Sequence, residues 1–213
     1  MDTTKGFKKL LGIMHHKMLK NDDFTIISNN CWGGVIYKYF AMRFQSPTVG
    51  MYFFGDEYIK FLKNLNYYLS QPLVVKDIDS SKYKEEIRRR GQNPLIGWLD
   101  DVEIVLLHYH NREEAVEKWN YRLKRVNPSK LIVKFNDQNL FKIDQLEEFE
   151  KLPYKNKICF TGKFYKGYST TVWFKEYNKI GHVENDTKMK HWRRYFNVIK
   201  YINNMKIGEE NEY

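Results

Sequence analysis

The chain of 213 residues is 42% hydrophobic and 16% aromatic, which is enough apolar side chain for one folded domain spanning 1–213. Its net charge of +10 favours acidic partners such as phosphorylated sugars and anionic lipid. The cations are spread along the chain without a recognised binding motif, which argues against nucleic acid, and no apolar run approaches the roughly 20 residues that a membrane-spanning helix needs.

The first 23 residues predict an amphipathic helix rather than a signal peptide. Their apolar side chains are not continuous but share one helical stripe, formed by Phe7, Leu10, Leu11, Met14 and Met18. The two cysteines, Cys31 and Cys159, lie far apart, and neither shows the spacing of a metal site. Unpaired thiols favour a reducing compartment, so we expect a cytoplasmic protein whose charge allows peripheral contact with an anionic membrane.

A short apolar strand at 24–28 is followed by the turn Asn-Asn-Cys-Trp-Gly-Gly, and a helix opens at its glycines. At this helix start Cys31 can be a nucleophile, with its thiolate favoured by the helix dipole. The alternative is a small buried apolar residue, with Trp32 packed beside it, and single cysteines are more often structural in this way. The glycines would also let a phosphate or a sugar approach the backbone.

Residues 102–136 predict a strand, a helix and a second strand joined by short connections. The apolar run that starts at Val102 is typical of a strand buried on both faces of a parallel sheet. Asn111 and Glu114 have the spacing of an N-cap and its capping-box partner. The segment therefore predicts a βαβ unit with a right-handed crossover. Asp100 and Asp101 precede its first strand and predict a turn or cap.

The other elements complete an α/β fold. Polar residues 76–93 predict a surface excursion. Four elements follow the βαβ segment: a helix at 144–151, strands at 157–161 and 170–174, and a last helix at 187–204. Together the elements predict a mainly parallel sheet flanked by helices, in a Rossmann-like three-layer architecture.

Polar side chains follow the predicted carboxyl ends of several strands, the edge at which α/β sheets bind ligands. We expect Cys31, His108 and Asp137 to surround one cleft there and take them as the catalytic candidates. His108 fits a general base or a buried core histidine equally well, and Asp137 fits an orienting carboxylate or a plain turn. Lys163 fits a phosphate contact or a solvated hairpin. The candidate substrate-binding residues are Asn29, Asn30, Trp32, Gly33, Gly34, Ser46, Thr48 and Lys163.

Several segments together resemble one known family. The stretches "ISNNCWGG", "QSPTVGMYFF", "DVEIVLLHY", "VKFND" and "NKICFTGKFY" occur in this order. They resemble an uncharacterised bacterial family labelled exopolysaccharide biosynthesis protein, whose members are found in capsule and surface-polysaccharide gene clusters. The resemblance covers residues 8–203 and implies an α/β fold and a role in making or modifying surface glycans. It supplies neither catalytic residues nor a cofactor.

These observations favour a cytoplasmic transferase of surface-polysaccharide biosynthesis that acts on a sugar nucleotide or a lipid-linked sugar. One alternative is a non-catalytic accessory protein that binds a phosphorylated glycan precursor or a partner enzyme. A second is a Cys-dependent acyltransferase or hydrolase. The net charge also predicts weak, salt-dependent binding to anionic lipid.

Overall fold

The computed structural model describes residues 3–208, with side chains from residue 6 onward. The strands are β1 (Thr25–Ser28), β2 (Val74–Lys76), β3 (Leu95–Leu99), β4 (Val102–Leu106), β5 (Leu131–Asn136), β6 (Lys157–Thr161) and β7 (Thr171–Trp173). The helices are α1 (Thr3–His16), α2 (Trp32–Tyr39), α3 (Gly55–Lys63), α4 (Leu65–Ser70), α5 (Lys84–Arg89), α6 (Arg112–Leu123), α7 (Ile143–Lys151), α8 (Met189–Tyr195) and α9 (Val198–Asn203).

A four-stranded parallel sheet with the strand order β1-β5-β6-β7 forms the centre of the fold. Its inner strands are apolar because both faces are covered. Ile132 and Ile158 pack with α2, α8 and α9 on one face, whereas Val133 and Cys159 pack with α3 and α7 on the other. This arrangement confirms the predicted α/β fold with helices on both sides of a mainly parallel sheet.

The predicted βαβ unit at 102–136 is wrong, because β4 is not part of the parallel sheet. It pairs antiparallel with β3 in a second sheet of order β2-β3-β4. The Asp100-Asp101 turn joins β3 to β4 in a hairpin, and Asp100 adopts a positive φ of 53° there. In this hairpin, β3 pairs with the backbone hydrogen-bonding groups along one edge of β4. All five residues of β4 are buried, as predicted, but within the other sheet.

One irregular segment, residues 50–54, connects the two sheets. Tyr52 forms an isolated antiparallel bridge with Val105 of β4, and the Phe53 N–H donates to the Asn29 carbonyl at 3.0 Å. The His108 N–H donates to the Gly50 carbonyl at 3.0 Å. The end of β4 is therefore held near the carboxyl end of β1, although the two strands belong to different sheets.

The helix predictions hold in type but not in every boundary. Asn111 begins α6 as predicted, since its side chain accepts from the Glu114 N–H at 2.8 Å. The predicted single helix at 187–204 is two helices, because Phe196 is extended and Asn197 caps α9 by accepting from the Lys200 N–H. The predicted excursion at 76–93 contains α5 and buries Ile87 in the core. No helix within residues 3–208 is long and apolar enough to cross a membrane.

Candidate functional site

Three adjoining cavities form a groove along the carboxyl edge of the parallel sheet. The basic cavity, of about 410 Å³, and the central cavity, of about 290 Å³, share Cys31 and Thr187. The central cavity and the outer cavity, of about 800 Å³, share Arg90, Gln138, Asn139 and Glu184. The three cavities therefore lie side by side from the start of α2 past the ends of β5 and β6, where ligands of parallel sheets bind.

A buried polar cluster lies below the central cavity. Its centre is the ion pair between the Lys134 Nζ and the Asp186 carboxylate, whose side chains are 0% and 1% exposed. The Lys134 Nζ also donates to Asn30 Oδ1 at 3.0 Å, and the Asp186 carboxylate accepts from the Asn30 and Asn136 amides at 2.8 and 2.9 Å. Burial lowers the pKa of Lys134, and the Asp186 carboxylate opposes that shift. Gln138 Oε1 accepts from the Asn136 amide and closes the cluster toward the groove.

The alternation of β5 explains why a lysine is buried in this strand. Lys134 and Ile132 are two residues apart, so both point to the face covered by α2. On that face the Lys134 Nζ lies 5.9 Å from the Trp32 ring centroid and 5.2 Å from that of Phe160. Both rings lie within cation–π distance of the ammonium. Strand β5 therefore places the Lys134 ammonium beside the Trp32 and Phe160 rings. Asp186 and Asn30 accept its hydrogen bonds.

The turn Asn-Asn-Cys-Trp-Gly-Gly holds this edge of the sheet together. Asn29 Nδ2 donates to Asn136 Oδ1 at 2.8 Å and ties β1 to β5. Asn30 Oδ1 accepts from the Trp32 N–H at 3.1 Å in a turn around Cys31, the N-cap residue of α2. A β-carbon at Gly34 would lie 2.9 Å from the Val49 Cγ1, so the helix start packs against this neighbour through the glycine.

Most of the residues predicted to bind substrate do not line the groove. Asn29, Trp32, Gly33, Ser46 and Thr48 are buried and line none of its three cavities. The Ser46 and Thr48 hydroxyls lie 3.0 Å apart and bond to each other, and Thr48 Oγ1 accepts from the Ser28 N–H. The Ser46 and Thr48 hydroxyls therefore make hydrogen bonds within the protein interior. Asn30, Gly34 and Lys163 do line the groove.

Cys31 and His108 line the same basic cavity, as predicted for two members of one cleft. Burial raises the pKa of the Cys31 thiol to about 11, and the Asp186 charge acts in the same direction. The expected thiolate stabilisation at the helix start is therefore outweighed by desolvation. His108 is exposed, so the buried-core interpretation of this residue is wrong.

Asp137 lies in the outer cavity, away from the basic cavity that holds Cys31 and His108. Its carboxylate accepts from the Gly162 N–H at 2.6 Å and the Val183 N–H at 2.7 Å, and so joins two loops. Burial raises its pKa to about 6, although both N–H groups oppose the shift. The groove connects all three catalytic candidates, but Asp137 does not orient His108 across a shared cavity.

The basic cavity carries cations that the sequence analysis did not single out. Lys38, Lys118 and Arg122 line it with His108, and no carboxylate does. Arg122 is fixed in place because its guanidinium donates to the Val49 carbonyl at 2.8 Å and the Tyr109 hydroxyl at 2.7 Å. Lys118 pairs with Glu114 outside the cavity, whereas Lys38 makes no ion pair within the described part of the chain. This arrangement fits an anion such as a phosphate or diphosphate.

Aromatic side chains complete the basic cavity. The Phe44 and Tyr109 rings line it beside the cations, and the Arg122 guanidinium lies 5.1 Å from the Phe44 ring centroid. Such rings can pack against the apolar face of a sugar or a nucleobase. Among residues 3–208, no three His, Cys, Asp or Glu side chains are grouped so that they could hold a metal ion.

One of the missed site residues had a signal in the sequence. Lys134 is the one charged side chain in the apolar run "LIVKF", and an inward cation in a buried strand indicates a polar partner. Asp186 had no such signal in the sequence, because it lies in the irregular loop before α8. It reaches Lys134 only through the tertiary fold.

A protein family and a relative both match nearly the whole chain. The family described as "Domain of unknown function (DUF1919)" matches residues 3–206. A protein of Haemophilus influenzae described as "Uncharacterized protein" is 30% identical over 188 residues, which cover 87% of this chain and 85% of that protein.

Proposed function

The chain belongs to the DUF1919 family, an uncharacterised bacterial family, and we propose that it acts in surface-polysaccharide biosynthesis by binding a phosphorylated sugar precursor in the groove. The precursor is a sugar nucleotide or a lipid-linked sugar. The observation that carries the proposal is the basic cavity, in which Lys38, Lys118 and Arg122 face one space without a carboxylate.

The two ends of the groove suit the two ends of such a precursor. The diphosphate fits the basic cavity, where Lys38 is available and Arg122 is held rigid. The sugar then extends into the central cavity, whose lining offers amide and carboxylate side chains, including Gln138 and Asn185, for its hydroxyls. Polar groups that converge on a concave surface are typical of small-molecule sites.

A transfer reaction at this position would use the same groups. The acceptor hydroxyl forms the new glycosidic bond at the anomeric carbon while the bond from that carbon to the diphosphate breaks. The basic cavity stabilises the departing diphosphate, and His108, which lines this cavity and is exposed, accepts the hydroxyl proton.

The raised pKa of Cys31 disfavours the Cys-dependent alternative, so binding of the precursor without turnover is the second candidate function. An activated thiol has a lowered pKa, whereas burial raises that of Cys31 to about 11. This disfavours Cys-dependent acyl transfer and leaves an accessory protein that presents the precursor to a partner enzyme.

Calorimetric titration with a panel of nucleoside diphosphate sugars tests the proposal. We expect binding to the wild type and a loss of roughly 5- to 10-fold in affinity for Lys38→Gln, because one charge contact to the diphosphate is removed. Lys124→Gln is the matched control, since Lys124 follows the same helix as Arg122 but does not line the groove. Release of free nucleotide would distinguish transfer from binding alone. Equal affinities of both variants and the wild type would refute the groove as the binding site.

A further inference from the structure

The first helix, α1, presents an apolar stripe to solvent. Phe7, Leu10 and Met14 are 63%, 56% and 56% exposed, and Met18, just beyond the helix, is 57% exposed. Their spacing of three or four residues places all four on one face. These four side chains are here called the α1 stripe. Large apolar side chains grouped in this way mark a contact surface on a folded protein.

A different face of α1 attaches the helix to the rest of the protein. A β-carbon at Gly12 would lie 2.9 Å from the Ala41 Cβ, and the His15 ring stacks on the Tyr39 ring at 4.1 Å between centroids. At about 100° per residue, Gly12 and His15 lie roughly 100–150° around the helix axis from the α1 stripe. The stripe therefore stays free while α1 is docked.

The charge around the α1 stripe indicates what it contacts. Residues 3–21 contain five lysines, two histidines and no aspartate or glutamate. Lys8, Lys9 and Lys17 are exposed. Asp22, just after this range, contacts the His16 ring at 3.3 Å, so lysines predominate around the stripe but are not alone. An exposed apolar stripe flanked mainly by lysines is typical of a helix that lies in the interface of an anionic bilayer. Two copies of the same stripe would instead bring like charges together, which disfavours a dimer through this face.

We propose that α1 binds an anionic lipid bilayer, with the α1 stripe at the boundary of the acyl chains and the lysines against the headgroups. This inference goes beyond the proposed function and does not depend on it. It is compatible with a lipid-linked substrate, because α1 contacts Tyr39 and Ala41 at the end of α2, and Lys38 of the same helix lines the basic cavity.

Sedimentation of the full chain with vesicles tests the apolar part of this proposal. We expect binding to phosphatidylcholine vesicles that contain phosphatidylglycerol, and a loss of roughly 10-fold or more for Phe7→Ser, because the phenyl ring leaves the lipid. Phe164→Ser is the matched control, since Phe164 is equally exposed at 63% but lies far along the chain, after β6. Leu10→Gln provides an independent second variant, and circular dichroism verifies that each variant is folded.

The electrostatic part of the membrane-binding proposal is tested with the double variant Lys8→Gln/Lys9→Gln. At about 1 kcal/mol per lysine near an anionic surface, this change weakens vesicle binding by roughly 30-fold. Lys151→Gln/Lys179→Gln removes the same charge from exposed positions on other elements and leaves binding nearly unchanged. Binding by the wild type also weakens as the salt concentration rises.

Three outcomes would overturn the proposal. The first is equal binding of the wild type to vesicles with and without phosphatidylglycerol. The second is an equal effect of Phe7→Ser and Phe164→Ser. The third is a wild-type dimer in light scattering without vesicles that Phe7→Ser converts to a monomer, because the α1 stripe would then be an interface between copies of this chain.

Discussion

The buried polar cluster and the basic cavity lie beside each other at the carboxyl edge of the parallel sheet, yet they use their cations in opposite ways. Lys134 is completely buried and pairs with Asp186, and two asparagine amides satisfy the same carboxylate. Lys38 is exposed at the rim of the basic cavity and pairs with no carboxylate within residues 3–208. The first cation stabilises the floor of the groove, and the second is available to a ligand.

The difference shows why the type of a polar residue does not by itself indicate a binding role. Asn29 and Asn30 follow a strand end, as binding residues often do, but their amides are committed to Asn136 and Asp186. A buried charge without a partner is costly, so removal of one member of the cluster should destabilise the fold. Removal of the exposed Lys38 ammonium from the basic cavity should change binding alone.

The largest expected effect is the loss of the Asp186 carboxylate. Asp186→Ala leaves the Lys134 ammonium buried without its counterion, which should lower the free energy of unfolding by about 3–5 kcal/mol. Urea denaturation measures this change. The double variant Lys134→Met/Asp186→Leu should recover more than half of the loss, because an apolar pair needs no counterion and Gln138 still accepts from both asparagine amides. A single-variant loss below about 1 kcal/mol would show that the ion pair does not stabilise the floor.

The second prediction concerns pH and Asp137. Its pKa is about 6 in the folded chain against 3.8 for the ordinary group, so the folded state binds more protons between these values. The neutral Asp137 carboxyl therefore adds to the free energy of unfolding. This contribution is complete below pH 3.8 and is lost as the pH rises through about 6. The full loss amounts to about 3 kcal/mol, obtained from the difference in pKa.

The matched variant for this measurement is Asp137→Asn, which cannot titrate. We compare urea denaturation of both proteins at pH 4 and pH 7, so that other groups contribute equally. Because pH 4 lies just above the ordinary pKa of 3.8, the free energy of unfolding of the wild type should fall by about 2 kcal/mol more than that of the variant over this range. If the two proteins show the same pH dependence, the two backbone N–H donors hold the carboxylate charged and burial does not dominate.

The third prediction concerns the reactivity of the thiols. Cys31 is half-buried at the basic cavity, and Cys159 is completely buried in β6. Under native conditions a soluble thiol probe should modify Cys31 first, with a rate that rises about tenfold per pH unit between pH 8 and pH 10, because the pKa of Cys31 is about 11. Mass spectrometry of the time course measures both rates. A plateau below pH 9 would indicate an activated thiolate and restore the nucleophile hypothesis.

The smallest expected change is in the stability of Lys38→Gln. Because Lys38 is exposed and makes no ion pair in the described chain, its free energy of unfolding should stay within about 0.5 kcal/mol of the wild type. The same variant is expected to lose affinity for phosphorylated sugars. A substantial loss of stability would mean that the basic cavity, like the buried polar cluster, is structural.

The sequence by itself determined the elements whose signals are local. The apolar runs of β1, β5 and β6, and the Asn111 cap of α6, could be located because side-chain alternation and capping depend on residues close in the chain. The amphipathic pattern of α1 was also evident, but only the tertiary structure shows that Phe7, Leu10, Met14 and Met18 are exposed. Periodicity shows which residues share a face and not what covers that face.

Only the tertiary structure decided which strands pair and which polar residues remain accessible. β4 has the composition of a buried parallel strand, but the hairpin with β3 placed it in the second sheet. Segment 50–54 then brought His108 to the cavity of Cys31, and a loop more than 50 residues beyond Lys134 supplied Asp186. Strand pairing and burial depend on contacts between residues far apart in the chain, so the local pattern cannot specify them.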